Sequence, residues 1–169
     1  MDRPRKLNYS RIIGIIITGF YFLFCALHPG DWHFIDNVDL VIHEAGHWIF
    51  IFFGEFIRIL GGSLNQVLIP TVFAAYFFLK RDFYSGSLVS LWVGYNIVNV
   101  SVYMGDAVRM SLPLLGGDNV IHDWNYILGH LGLLSHTGFL SGLTYALGIF
   151  IILGATAWGV RESFCNNRL

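Results

Sequence analysis

Charged residues are scarce in this chain of 169 residues, where they make up 12% of the sequence against about 25% in an average soluble domain. Hydrophobic residues account for 55%, and the mean hydropathy is +0.60. A soluble domain of this size cannot bury so much apolar surface. The composition therefore excludes an ordinary soluble protein and indicates a chain whose main solvent is the lipid bilayer.

Basic residues are also few, since 10 Lys and Arg side chains stand against 11 Asp and Glu side chains and give a net charge of −1. Because the sequence has no basic stripe, it gives no support for nucleic-acid binding. Its 2 cysteines are too few for a disulfide framework. Internal repeats and low-complexity tracts are missing as well. We therefore expect a single integral membrane domain over residues 1–169.

What the sequence does contain is a series of apolar segments with short polar connections, all of helical character. Gly61-Gly62 marks the expected end of the second helix. The next run, Gln66 to Leu79, is short and contains Pro70, which favours a re-entrant or tilted element over a full span. The predicted fold class is all-α, a polytopic transmembrane helical bundle of five to six membrane segments. The segments are expected at residues 12–27, 38–60, 66–79, 87–103, 122–134 and 138–160.

The N-terminal segment carries a cluster of positive charge before its apolar run. Arg3, Arg5, Lys6 and Arg11 precede the first span, and no small-residue cleavage site follows it. An uncleaved membrane helix with a cytoplasmic N-terminus is therefore expected. A bacterial inner (cytoplasmic) membrane suits so small a chain.

The second predicted helix contains the sequence His43-Glu44-Ala45-Gly46-His47. Histidines four residues apart lie on one helix face, one turn from each other, and two neutral imidazoles at this spacing can bind one Zn²⁺. Glu44 lies beside them and is placed to take a proton from a water that the metal activates. Ionisable side chains within a hydrocarbon span are usually functional, so we expect His43 and His47 to be metal ligands and Glu44 to be catalytic.

A zinc site needs at least a third protein ligand, and the second half of the chain offers two main candidates. Asp123 begins the helix predicted after the glycine-rich loop, where an Asp also favours the role of a helix cap. His122 is its rival as ligand. Asp123 is the predicted third ligand, with His122 as the open alternative.

These motifs resemble the site-2 protease family of intramembrane zinc metalloproteases. In that family an HExxH helix is followed by an Asp ligand in a motif often written NPxPxxxLDGG. Here Leu112-Pro113-Leu114-Leu115-Gly116-Gly117 leads to Asp123-Trp124-Asn125-Tyr126-Ile127-Leu128, with Trp124 and Asn125 in place of the two glycines. The resemblance covers residues 38–134. It implies a zinc-dependent peptidase that cleaves a membrane-spanning protein within the bilayer.

The order of the segments gives an independent expectation about depth. If Gln66 to Leu79 is re-entrant, two spans separate the His43 helix from the helix that Asp123 begins, and the two residues lie at the same depth. Lys80-Arg81 then falls on the cytoplasmic side, as the positive-inside rule prefers. We further hypothesise that this segment presents or gates the substrate.

Polar residues on the next span follow a helical spacing and are expected to share one face: Asn96, Asn99, Tyr103 and Asp106. This face can be an interhelical hydrogen-bonding surface or a polar wall of the active site. By the resemblance, an Asn-containing segment helps to hold the substrate strand. Asp106 can also orient a ligand histidine.

Two other functions remain open from the sequence. A membrane-embedded zinc hydrolase that acts on a lipid amide or ester would use the same metal chemistry. A noncatalytic, metal-binding membrane scaffold would need a closed set of four ligands, which Asp123 and His122 together can supply.

Overall fold

A computed structural model describes residues 8–113 and 121–164, and every regular element in these ranges is helical. The helices are α1 (Tyr9–Leu27), α2 (Phe34–Ile49), α3 (Glu55–Leu79), α4 (Phe83–Gly105), α5 (Asp123–His130) and α6 (Thr137–Ser163). Short 3₁₀ turns at Ile51–Phe53 and Leu134–His136 precede α3 and α6. The predicted all-α membrane bundle is confirmed.

Four of these helices are long and apolar enough to cross a membrane: α1, α3, α4 and α6. α2 has 16 residues and is about 24 Å long, less than the ~30 Å hydrocarbon core of a bilayer. Leu114 to Gly117 of the compared loop motif, and Asp118, lie outside the described residues.

The four long helices, α1, α3, α4 and α6, alternate in direction along the chain. Asn8 N–H donates to the Ser163 carbonyl at 3.2 Å, and the Tyr84 hydroxyl donates to the Arg11 carbonyl at 2.9 Å. α1 and α4 therefore begin at one end of the bundle, where α3 and α6 end. We call this the basic end, because Arg11, Lys80, Arg81 and Arg161 lie there. The opposite end, where α4 ends and α5 begins, is called the site end.

Close packing of α1, α4 and α6 forms the main apolar core. Ile15 and Cys25 of α1, Leu91 of α4 and Ile152 of α6 are almost completely buried in it. A Cβ on Gly148 would lie 2.7 Å from the Gly94 carbonyl, so the backbones of α4 and α6 approach as closely as glycine permits.

The prediction for the second helix and the re-entrant segment was wrong in its boundaries. The chain reverses at Gly54, whose φ of +89° suits glycine, and α3 then runs without a break through Gly61-Gly62 and Pro70 to Leu79. Gln66 to Leu79 is thus the second half of a long helix and is not re-entrant. Gly61 does not end a helix. It lets α3 pack closely on α2, because its backbone contacts that of Gly46.

α2 is the short helix that connects α1 to α3, both of which run the length of the bundle. α1 ends toward the site end and α3 begins there, so α2 links them within that half of the bundle and does not cross it. Hydrogen bonds tie it to α4: Trp92 Nε1 donates to Asp39 Oδ1 at 2.7 Å, and the Tyr95 hydroxyl donates to Asp36 Oδ1 at 2.6 Å.

Candidate metal centre

α2 presents the two histidines on its inner face, toward α3. The ring centroids of His43 and His47 are 5.0 Å apart, and His43 is buried while His47 is partly exposed. The space beside them exists because residue 62 lacks a side chain. A Cβ on Gly62 would lie 2.5 Å from His43 Nε2 and 2.7 Å from His47 Nε2. A small cradle is therefore open next to both ring nitrogens.

The outer nitrogen of each ring has an oxygen acceptor. His43 Nδ1 lies 3.0 Å from Gln66 Oε1, and His47 Nδ1 lies 2.9 Å from the Arg58 carbonyl oxygen. Since both partners accept, both rings donate from Nδ1–H. A neutral imidazole carries one proton, so each Nε2 is left with its lone pair directed inward.

Asp123 lies where these two lone pairs converge. Its Oδ2 is 3.0 Å from His43 Nε2 and 3.3 Å from His47 Nε2. α5 is held there by Asp123 N–H, which donates to the Tyr103 hydroxyl at 3.1 Å, and by Trp124 Nε1, which donates to Ser63 Oγ at 3.1 Å. His43 and Asp123 thus lie at the same depth, but not by way of the expected re-entrant segment. α3 and α4 each run the length of the bundle and together return the chain to the site end.

The two distances from the histidines to Asp123 Oδ2 suit a small tetrahedral cation. Zinc–ligand bonds of about 2.0–2.1 Å place neighbouring ligand atoms about 3.3 Å apart in a tetrahedron. Burial raises the pKa of Asp123, but hydrogen bonds from His43 and His47 lower it by more, so the group is a carboxylate. A ring that carries a second proton donates to this carboxylate from Nε2–H. When both rings are neutral, His43 Nε2, His47 Nε2 and Asp123 Oδ2 are all acceptors.

His122 does not join this group. Its Nδ1 accepts a hydrogen bond from Asn125 N–H at 3.2 Å, which caps α5, and its Nε2 donates to Asp106 Oδ2 at 3.3 Å. Both ring nitrogens are thus engaged away from His43 and His47. The cap role that the sequence also allowed for Asp123 belongs to His122, and Asp123 is left free to face the histidines.

Glu44 borders a cavity of about 320 Å³ beside the histidines. Its carboxylate offers an oxygen within 4.8 Å of a ring nitrogen of each histidine, farther than Asp123 Oδ2 lies from the two Nε2 atoms. Asp123 is therefore the closer carboxylate, and Glu44 lies toward the open space. The cavity is also lined by Asp31, Trp32, Asn99, Tyr103 and Pro113.

The residues predicted to share one polar face of α4 have two different roles. Asn99 and Tyr103 line the cavity, whereas Asn96 is fully buried and donates to the Trp92 carbonyl at 3.1 Å. Asp106 accepts from Leu112 N–H, Ser111 and His122. Burial raises the pKa of Asp106, but these hydrogen bonds lower it by more, so it lies below the usual value.

Three residues of the site were missed by the sequence analysis: Asp36, Gly62 and Gln66. Asp36 fell just before the predicted second segment, residues 38–60, and Gln66 was assigned to the start of a re-entrant segment. The available signal was their position in apolar runs, where a polar side chain requires a partner. Gly62 gives no such signal in the sequence. Its importance depends on His43 and His47, which lie against it only in the folded structure.

Comparison with known proteins found no relative of this chain. No protein-family model matches this chain, and no curated protein or solved structure matches it. The residues His43, Glu44, His47 and Asp123 and their surroundings therefore carry the functional argument by themselves.

Proposed function

We propose that this protein is a membrane-embedded zinc metallopeptidase whose metal ligands are His43, His47 and Asp123. The observation that carries the proposal is the convergence of His43 Nε2 and His47 Nε2 on Asp123 Oδ2, at 3.0 and 3.3 Å, with both outer imidazole nitrogens already facing oxygen acceptors. Such a cluster of acceptors is stable when a cation lies among them. Imidazole nitrogen and carboxylate oxygen are ligands that zinc accepts.

Three protein ligands leave a fourth position open, as in catalytic and not structural zinc sites. A zinc held there would lower the pKa of a bound water and polarise a carbonyl group. Glu44 borders the cavity, where it would take a proton from that water. The Tyr103 hydroxyl accepts from Asp123 N–H and the side chain lines the cavity, so its O–H would be available to a substrate oxygen.

The engagement of His122 argues against the noncatalytic scaffold. A closed site needs a fourth protein ligand, and both ring nitrogens of His122 are engaged elsewhere. Glu44 beside a cavity of about 320 Å³ has no evident purpose in a purely structural site. By the resemblance to site-2 proteases, the substrate is a peptide bond of a membrane-associated protein.

The distribution of charge supports an orientation in which the first and last described residues, Asn8 and Phe164, both lie on the cytoplasmic side. At the site end the described chain places two basic residues, Arg58 and Arg109, against four at the basic end. Three further basic residues precede Asn8 in the sequence. The positive-inside rule then places the basic end on the cytoplasmic side of a bacterial inner membrane. The metal centre faces the opposite side, so the scissile bond lies near the non-cytoplasmic end of the substrate.

The experiment that tests this function measures zinc per chain in detergent-purified protein. Wild type and His122→Ala are expected to hold about one zinc, and His47→Ala and Asp123→Ala to lose it. Wild type without zinc or another divalent metal after loading would overturn the proposal. Retention by Asp123→Ala with loss by His122→Ala would move the third ligand to His122.

A second assay separates peptidase from lipid hydrolase. Zinc-loaded protein is reconstituted into vesicles that contain both a membrane-spanning peptide and a fluorescent lipid amide. We expect cleavage of the peptide by wild type and none by Glu44→Gln, which keeps its zinc. Hydrolysis of the lipid alone would replace the peptidase proposal by the lipid alternative.

A further inference from the structure

A line of buried amide groups connects the metal centre to a carboxylate on the same helix. His43 Nδ1 lies 3.0 Å from Gln66 Oε1, Gln66 Nε2 lies 2.9 Å from Asn99 Oδ1, and Asn99 Nδ2 lies 3.2 Å from Asp36 Oδ1. The line passes from α2 to α3, to α4 and back to α2. We call Asp36, Asn99 and Gln66 the amide relay.

The direction of this relay is set at its far end. Asp36 accepts three hydrogen bonds, from Tyr95, Asn99 and the backbone N–H of His33. A carboxylate has no proton to donate, so Asn99 must turn its NH₂ group toward Asp36. Its oxygen then accepts from Gln66, and the oxygen of Gln66 is left to accept from His43.

Because the relay is buried, its hydrogen bonds cannot easily change direction. Asp36 is 4% exposed, Gln66 3% and His43 8%, so little water is available to replace a lost partner. A reversed amide would place two oxygens or two NH₂ groups against each other. Such a mismatch leaves buried polar groups without a partner, and their lost solvation is then not compensated.

We propose that Asp36, acting through Asn99 and Gln66, is a positioning residue that selects the Nδ1–H tautomer of His43 and so keeps His43 Nε2 free for the metal. This inference rests on the proposed metal centre, because without a metal the Asp123 carboxylate, 3.0 Å from His43 Nε2, also competes for the proton. The partner of a ligand histidine commonly fixes its tautomer, and its loss lowers metal affinity about 10–100-fold.

The substitution that tests the relay is Asp36→Asn. The amide introduced at this position can donate to Asn99, which allows all the amides to reverse and Gln66 to donate to His43 Nδ1. The proton then moves to Nε2, the atom that should bind the metal. We expect an about 10–100-fold weaker zinc affinity in Asp36→Asn, and ¹⁵N NMR of zinc-loaded wild type to show a His43 Nδ1–H whose hydrogen bond to Gln66 is lost in the variant.

A swap of the two side chains provides the rescue. In the double variant Asp36→Asn/Asn99→Asp the carboxylate stands at position 99, where it accepts from Gln66 and from the new amide at position 36. The original direction toward His43 is restored with unchanged total charge. We expect the Nδ1–H hydrogen bond to Gln66 and near-wild-type zinc affinity to return. Tyr95→Phe, which removes one hydrogen bond from Asp36 outside the relay, serves as the matched control and leaves zinc affinity unchanged.

The outcomes separate this inference from the proposed function. An unchanged zinc affinity in folded Asp36→Asn, or no recovery in the double variant, would overturn the relay and leave the metal centre standing. Wild type that binds no metal would overturn the metal centre and this inference with it. Helical circular dichroism of each variant shows that it is folded before zinc affinity is measured.

Discussion

At the scale of single residues, the absence of a side chain at position 62 matters as much to the proposed zinc site as the proposed ligands do. The Cβ of Gly62→Ala would occupy the cradle between the two Nε2 atoms, at 2.5 and 2.7 Å from them. We expect zinc affinity to fall by about tenfold or more, because the rings must move apart to admit the methyl group. Equilibrium zinc titration with a competing chelator measures this change.

Gly142→Ala is the matched control for Gly62→Ala. It makes the same chemical change within a long helix, where nothing lies within 4 Å of the new Cβ. Its zinc affinity should equal that of wild type. An equal loss of affinity in both variants would show that the cradle at Gly62 has no special role.

The two buried aspartates of α2 should respond in opposite ways to the same substitution. Asp39 Oδ2 and Asn96 Oδ1 are buried acceptors without a hydrogen-bond partner among the described residues. Asp39→Asn replaces the unpartnered oxygen by an NH₂ group and removes a buried charge. We expect an unchanged or higher midpoint of thermal unfolding in detergent.

Asp36→Asn, by contrast, replaces an acceptor of three hydrogen bonds and is expected to lower that midpoint. Its free energy of unfolding should fall by about 1–3 kcal/mol. A lower midpoint for Asp39→Asn than for Asp36→Asn would contradict this assignment of the two carboxylates.

At the scale of elements, Asp106 joins the end of α4 to the start of α5. It accepts from the Leu112 backbone N–H at 2.8 Å and from His122 at 3.3 Å, and His122 in turn caps α5. In Asp106→Asn an NH₂ group faces some of these donors. The free energy of unfolding is expected to fall by about 1–3 kcal/mol, measured by reversible denaturation in mixed micelles.

The pH dependence of this contribution follows from the lowered pKa of Asp106. A carboxylate whose pKa is lower in the folded than in the unfolded state stabilises the fold fully above its unfolded pKa of about 3.9. The contribution is lost as the pH falls through the folded value. Wild type and Asp106→Asn should therefore converge in stability in strong acid, and a constant difference down to that range would contradict the assignment.

The sequence predicted the elements well wherever apolar runs end at polar residues. The first, fourth and last predicted segments agree closely with α1, α4 and α6. It failed at Gly61-Gly62 because glycine pairs end helices in water but serve close helix packing in a bilayer. The direction of the amide relay was not predictable, since it depends on contacts between three helices.

The candidate site was partly predictable for a similar reason. His43 and His47 share one helix, so their spacing alone places them together. Asp123 is 80 residues from His43, and the choice between it and His122 required their positions in the structure. Its role as third zinc ligand stays a prediction until metal is measured.

At the scale of the whole molecule, the charge distribution predicts which face can be reached from each side of the membrane. Single cysteines at Ser10 and at Asp31 report on the basic end and the site end, both being exposed. Cys25→Ala and Cys165→Ser remove the native thiols. A membrane-impermeant maleimide added to intact spheroplasts should label Asp31→Cys and leave Ser10→Cys unlabelled until the membrane is permeabilised.

The opposite labelling pattern would place the metal centre on the cytoplasmic side. It would contradict the orientation derived from the basic residues and leave the geometry of the centre unaffected. Equal labelling of both positions in intact spheroplasts would show leaky membranes, which an impermeant control protein of known topology detects beforehand.

The packing of α1 has a consequence for the order of assembly during synthesis. Its main partners are α4 and α6, and Ile15 contacts the region of Gly159 near the end of the described chain. Because a chain emerges from the ribosome with its N-terminal part first, α1 enters the membrane long before these partners exist. Its inner face must therefore contact lipid or the insertion machinery while α2 and α3 are being made. The apolar core closes only when α6 arrives, so α6 completes the packing of α1 after the other described helices have been made.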